Sequence, residues 1–279
     1  MVAQMNQINN LPFSIACART GMLANIWPYT TGLGTEFYTN KAMIERALGE
    51  FTEAIGHGQV SLSVYSKDYV NILDLIDKYN IEYVELLGSR KHYEIQELDL
   101  AQLGAAKLIL RHTLVQEPYS DFALVKGTES AGTSGLLPLE EMYKHTVALN
   151  RHNRGIIVMG GIDSAKKVKH WIDQGVSGVA IGTLLALSEE SPIDHDVKLA
   201  MISSLRPYLT RIEGTAQQAI QWGDLPQNKQ DWNRTKHLKN SLHVLREKTG
   251  MIYASASIHV VEAIEPLQVI LHRLISLLG

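Results

Sequence analysis

The sequence predicts an α/β fold: a (β/α)8 TIM barrel with a helical insertion after the last strand and a closing C-terminal helix. Three observations predict it. Short, β-branched apolar runs alternate with helical stretches from Met1 to Thr183, giving eight strand candidates. Those runs are apolar throughout instead of alternating with polar residues, the pattern of parallel strands covered on both faces. The last of them end in glycine, at Gly160-Gly161 and Gly182-Thr183, directly before a helical stretch. Eight such units favour a closed barrel over an open sheet, and a barrel of about 250 residues takes in the whole chain. The expected organisation is one domain, 1–279, with 188–246 as an insertion or lid.

In chain order, Met1 to Met5 is a first strand candidate. Asn9-Asn10-Leu11-Pro12 reads as a helix cap and first turn, with the helix running to about Arg19 and ended by Thr20-Gly21. Met22 to Trp27 is the second strand, and the glycine-bearing stretch Pro28 to Thr35 is a loop. Ile44, Ala47, Leu48, Phe51 and Ile55 recur at helical steps and predict a helix over Asn40 to Ile55. Strands at Gln59 to Tyr65, Ile81 to Leu87 and Ala106 to Leu110 alternate with helices at Lys67 to Tyr79 and His92 to Leu103. The Phe122 to Val125, Gly155 to Met159 and Gly178 to Ile181 strands enclose helices at Pro138 to Asn150 and Ser164 to Gln174. Ser188 to Arg246 is polar and helical in parts. Ile264 to Leu278 is a last helix that buries Leu267, Ile270, Leu271, Leu274, Ile275 and Leu278.

Composition narrows the function classes. The net charge is −3, from 26 basic and 29 acidic residues well mixed along the chain, so there is no electrostatic footprint for nucleic acid or an anionic membrane. No apolar run approaches the ~20 residues that span a bilayer. The single cysteine, Cys17, allows no internal disulfide and is expected in the core of a cytoplasmic protein. Histidines occur without metal-ligand spacing, so no metal site is expected.

A barrel carries its chemistry at the C-terminal ends of its strands. That places Met5, Tyr29, Tyr65, Gly88, Arg111, His112, the Gly127 to Gly135 loop, Gly160-Gly161 and Gly182-Thr183 around one mouth. Backbone N–H groups of the last two loops suit a phosphate. Glu129 is expected to brace its own loop by accepting backbone N–H bonds. His112, just past a strand, is either a general base or an exposed loop histidine. Arg111 is either a partner for a substrate anion or a surface charge. Lys126 is the one lysine at a strand end that an aldolase-like or synthase-like phosphate barrel would use.

These motifs resemble a known family. Gly127-x-Glu129-x-x-Gly132-x-x-Gly135, then Gly160-Gly161-Ile162, then Gly178-Val179-x-x-Gly182-Thr183 is similar to the nitronate monooxygenase (2-nitropropane dioxygenase-like) family. That family includes FMN-dependent enoyl-acyl-carrier-protein reductases and the enoyl reductases of polyketide and polyunsaturated fatty acid synthases. Weaker likeness extends to Met1–Met5, to Ala18–Leu23, to Ser188-Glu189-Glu190-Ser191 with Lys198, and to 250–271. The resemblance implies an FMN barrel in which Gly160, Gly161, Gly182 and Thr183 hold the phosphate. It also puts Met5 and Gly132 near the isoalloxazine ring and Ser63 where the family has a flavin-binding asparagine.

The chain departs from the family where chemistry is decided. Thr133 stands where the family's loop has histidine, and Ala254-Ser255-Ala256 stands for Ala-Gly-Gln. Threonine is no base near neutral pH. The expected function is therefore an FMN-dependent oxidoreductase on a small or acyl-carrier-bound substrate, with enoyl reduction ahead of nitronate oxidation. Thr133, His112 and Tyr65 are the candidate proton donors, NADH or NADPH the candidate electron donor, and a homodimer the candidate assembly. The alternative is a catalytically altered or non-catalytic flavin barrel acting within a biosynthetic complex.

Overall fold

A computed structural model describes residues 1–5, 8–27, 41–58, 60–87, 100–203, 208–212, 215–222 and 250–279. Its centre is a parallel sheet of β1 (Ala24–Ile26), β2 (Val60–Tyr65), β3 (Tyr83–Leu87), β4 (Lys107–His112), β5 (Phe122–Lys126), β7 (Gly155–Met159) and β8 (Gly178–Ala180), hydrogen-bonded in that order. The sheet curls into a half-barrel. The first segment lies between its two ends: Val2 N–H donates to the Leu23 carbonyl at 2.9 Å, while Ala3 N–H donates to the Ile181 carbonyl and Ile181 N–H to that of Met1. The Met1 ammonium adds a bond to the Val179 carbonyl at 2.9 Å, and burial pushes its pKa down to about 6.

The helices follow from local chemistry. Asn10 caps α1 (Leu11–Arg19) by accepting from Phe13 N–H, with Pro12 in the first turn. The buried stripe of α2 (Lys41–Ile55) is Ile44, Leu48 and Phe51, the spacing that predicts it. The next predicted helix is shorter. A 3-10 stretch, Ser66–Ile72, leads into α3 (Leu73–Lys78), and only a 3-10 turn, Leu100–Leu103, is described before β4. α4 (Leu139–Leu149) and α5 (Ala165–Asp173) flank β7. The short α6 (Thr183–Ala186) and α7 (His195–Ser203) follow β8. In α8 (Leu267–Ile275) the buried residues are Leu267, Ile270 and Leu274, with Leu271 half-buried. Ile275 and Leu278 are exposed, contrary to the expectation for this helix.

The stretch after β8 departs most from expectation. It contains β9 (Tyr208–Ile212) and β10 (Thr215–Trp222), an antiparallel pair, and β10 also pairs with β11 (Gly250–Ile252) and with β6 (Gly132–Thr133). The insertion is thus part β-structure, not helical throughout. Its hairpin is anchored to the glycine-rich loop after β5, through Gln217 opposite Thr133 and Gln218 opposite Gly132.

Alternation along the strands sorts their side chains into two layers. Leu62, Val64, Val84, Leu86, Leu108, Leu110, Ala123 and Val125 join the large core under the helices. Ile109, Leu124, Ile157, Met159, Ala180 and Ala3 form a separate cluster on the inner face. Cys17 is fully buried, and desolvation pushes its thiol up to about 12, so it is core as expected.

Candidate functional site

The inner face has two halves. The β5–β8 side is the apolar cluster just named. The β1–β4 side is a polar chain. Asn25 donates to Ser61 Oγ at 2.9 Å and to Ser63 Oγ at 2.7 Å. Ser63 donates to Glu85 Oε2 at 2.6 Å. Glu85, fully buried, accepts from Arg111 Nε at 2.5 Å, and Arg111 Nη2 reaches Gln4 Oε1 at 2.9 Å. Asn9 extends the chain from Asn25 to the Ala3 carbonyl. A buried carboxylate is tolerated here because each of its oxygens is paired. The Arg111–Gln4 bond ties β4 to the N-terminal segment across the inner face.

At the C-terminal ends this face presents Trp27, Tyr65, Arg111, Lys126 and Met159. Tyr65 packs edge-on against Trp27 with ring centroids 5.4 Å apart. Lys126 is only 3% exposed, and among the described residues its Nζ has one long contact, 3.4 Å to the Ala131 carbonyl. Burial, and after it the charge of Arg111, pushes Lys126 down to about 7, with Glu85 opposing.

The loop after β5 is set by packing. A Cβ on Gly127 would lie 2.3 Å from Glu129 Oε2 and 2.4 Å from Leu139 N, and one on Gly135 would lie 2.0 Å from the Lys126 carbonyl oxygen. Only glycine fits at either place. Glu129 accepts from Leu139 N–H with both oxygens and so caps α4, whose N-cap Pro138 offers no side-chain acceptor. It braces the loop, as the sequence suggests.

Register ends the last two strands at one level. Met159 is paired with Ala180, and the chain then continues as Gly160-Gly161 after β7 and as Ile181-Gly182-Thr183 after β8. Gly160 has φ +131, and a Cβ there would meet Ser130 Oγ at 2.5 Å; Gly161 has φ +61 and its Cβ would touch that of Glu129 at 3.0 Å. Glycine at 160 is thus required by the neighbouring loop, a role distinct from close approach to an anion. Gly182 packs on Met5, whose Sδ lies 3.5 Å from the position of an added Cβ. Among the described residues, no hydrogen bond engages the N–H of Gly161, Gly182 or Thr183. Thr183 Oγ1 accepts from Ser255 N–H and Ser255 Oγ, both at 3.0 Å, and Ser257 hydrogen-bonds to Ser255. The Thr183 hydroxyl donates to no acceptor among the described residues. Amides and a hydroxyl are the donor types that a phosphate takes.

The other expected site residues separate. Thr133 and Gly132 lie in β6, half-buried, with the Tyr253 ring 3.8 Å from where a Gly132 Cβ would sit. Ser63 is buried, and its hydroxyl serves Asn25 and Glu85. His112 is corrected on two counts. It is the last residue of β4 and fully buried, not a residue of an exposed loop. It also shares the face of Leu108 and Leu110, away from Arg111, with its ring 6.4 Å from that of Tyr119. It therefore does not face the mouth. Arg111 is neither a surface charge nor a free cation, because Glu85 holds it. Tyr29 and Gly88 lie outside the described residues.

Sequence reasoning missed Asn25, Glu85 and Tyr253. A signal existed for the first two, since each interrupts an apolar strand at an inward position. Lys198, buried, donates to the carbonyls of Ser188, Glu189 and Ser191 and so fastens the chain after β8. Glu190 caps α8 at Leu267 N–H. The described residues hold no cluster of three or more metal-ligating side chains, and no helix among them is long and apolar enough to cross a membrane.

No protein-family model matches the chain, and no curated protein matches it. Solved structures do. FabK from Thermotoga maritima superposes with a TM-score of 0.75 at 15% identity, over 99% of this chain and 90% of that one. Nitroalkane oxidase from Streptomyces ansochromogenes gives 0.74 at 12% identity, over 99% and 94%. The enoyl reductase domain of MlnA, from the macrolactin biosynthesis cluster of Bacillus amyloliquefaciens, gives 0.53 at 14%, over 77% and 62%. At such identities the likeness is one of fold.

Proposed function

We propose that the chain is a closed (β/α)8 barrel of the nitronate monooxygenase-like family, binds FMN, and works as an oxidoreductase on a small or carrier-bound unsaturated substrate. The observation that carries this reading is that the paired strands β7 and β8 end at one level in Gly160-Gly161 and Gly182–Thr183, and that the N–H groups of Gly161, Gly182 and Thr183 make no hydrogen bond among the described residues. Closure is supported by Met1–Ala3, which hydrogen-bonds toward both ends of the sheet. The fold likeness to FabK and nitroalkane oxidase, over nearly the whole chain, supports the choice of chemistry.

FMN, when bound, supplies hydride transfer. The chain's own residues do the rest. Gly161, Gly182 and Thr183 hold the phosphate, and the Thr183–Ser255–Ser257 hydroxyl chain fixes which way the Thr183 proton points. Met5, packed on Gly182, and the apolar residues Met159 and Trp27 exclude water from the mouth. Tyr65 is a phenol at the C-terminal end of the inner face, and Thr133 is held in place by its pairing with Gln217. Either hydroxyl serves as proton donor in a reduction; neither serves as a base near neutral pH, which favours enoyl reduction over nitronate oxidation. His112 has no part in it.

The test is spectroscopic. The purified protein, as isolated or after adding FMN, is expected to be yellow, and anaerobic NADH or NADPH should bleach it. An enoyl thioester should then restore the colour faster than buffer alone. A colourless protein that takes up no FMN defeats the proposal.

A further inference from the structure

We propose that Arg111 and Lys126 form an anion site inside the barrel mouth, taking the planar, oxygen-bearing end of a small monoanion of the carboxylate class. The inference rests on reading these strand ends as the functional mouth.

Three observations carry it. The first is placement. Arg111 is the last inward residue of β4 and Lys126 the last of β5. Arg111 is in register with Leu124, so Lys126 stands one inward step further toward the mouth. The second is charge. Among the described residues, these two cations share a single carboxylate, Glu85, which is already held by Arg111 Nε and Ser63. The third is donor count. An ammonium has three N–H donors, and among the described residues Lys126 makes one contact, at 3.4 Å. Arg111 uses Nε and Nη2, and its Nη1 makes no hydrogen bond among the described residues. Buried donors left over in this way are costly, and a bound anion removes the cost. A guanidinium edge beside an ammonium matches two oxygens on one planar centre.

Among the described residues, the charged groups that act on Lys126 are Arg111 on β4 and Glu85 on β3. Met159 on β7, its register partner, is apolar, Gln4 on Arg111 is neutral, and Glu129 is turned away onto Leu139 N–H. The free amine titrates near 7. A bound anion raises that value, so binding above pH 7 must draw a proton from solvent.

Two sources offer this chemistry: a substrate carboxylate, or the carbonyl edge of a reduced flavin. Crotonate is the probe, titrated calorimetrically at pH 8.5 in buffers of different ionisation enthalpy, into protein without FMN and into protein saturated with it. Close to one proton should be taken up per crotonate bound, and Kd should rise about tenfold per pH unit above pH 7. Lys126→Met should lose both binding and proton uptake. Lys126→Arg should keep binding while losing the proton uptake and the pH slope, a split that misfolding would not produce.

Proton-linked crotonate binding to the FMN-saturated protein assigns the site to a substrate carboxylate. Binding only without FMN, with proton uptake shifted onto binding of reduced FMN, assigns it to the cofactor. Protein that takes up no FMN but binds crotonate with a proton defeats the FMN reading and leaves the anion site standing. Absence of proton linkage in both arms, or a Lys126→Met variant that matches the wild type, overturns the site.

Discussion

Replacing Lys126 by methionine should make the protein more stable at neutral and acid pH, and the gain should fade as pH rises. The reason is linkage. Lys126 titrates near 10.5 in an unfolded chain and near 7 in the folded one. Below pH 7 both states carry the proton, and folding must bury an ammonium. Between 7 and 10.5 the unfolded state binds more protons than the folded state, so wild-type stability rises with pH at about 1.4 kcal/mol per unit. The full difference of 3.5 units corresponds to a penalty of about 5 kcal/mol, an upper bound, present below pH 7 and gone above 10.5. Methionine has a similar stem without charge and carries none of it. Urea unfolding of both proteins between pH 6 and pH 9, taken as a difference curve, isolates the effect. The N-terminus, with its value pushed down to about 6, and Cys17, pushed up to about 12, titrate in both proteins and cancel. A difference that is flat with pH, or a methionine variant less stable than wild type at pH 6, would falsify the burial of the Lys126 ammonium.

Three further outcomes are expected. Glu129→Ala removes both acceptors from Leu139 N–H at a helix start with no other side-chain cap, and should cost about 1–2 kcal/mol in chemical denaturation; Glu129→Gln should cost less. Gly160→Ala puts a methyl 2.5 Å from Ser130 Oγ at φ +131, and should cost at least about 2 kcal/mol, whereas Gly175→Ala, with open space around it, should cost only the strain of its φ of +82. Cys17, buried with its thiol pushed up to about 12, should react with an aromatic disulfide reagent at pH 8 only at the rate of unfolding; prompt reaction in native buffer would contradict its burial.

Much of this was legible in the chain. Asn10 and Pro12 announce α1, and the Ile44–Leu48–Phe51 stripe announces α2. The β-branched runs place all seven strands of the parallel sheet to within a few residues. The loop motif Gly127-x-Glu129 is legible too, because its carboxylate and glycines act within a dozen residues of one another. The β9–β10 hairpin was not. Tyr208 to Trp222 carries polar residues that suit a solvated helix equally well, and its partner strand, Gly132–Thr133, lies some eighty residues away. Ser255 and Tyr253 likewise meet Thr183 and Gly132 only by long-range approach.

The sequence by itself determined the seven strands of the parallel sheet and most of the helices between them, that both faces of those strands are covered, and that two glycine-ended strands finish beside helices. Periodicity and local capping carry that information along the chain. Only the tertiary structure decided which residues of each strand point inward. A run such as Leu108-Ile109-Leu110 is apolar on both faces, so its pattern does not say whether Arg111 or His112 faces the mouth. Register settles it in favour of Arg111. With that one choice His112 leaves the inner face, Glu85 and Arg111 become a pair, and Lys126 stands on the same face with no ion pair among the described residues.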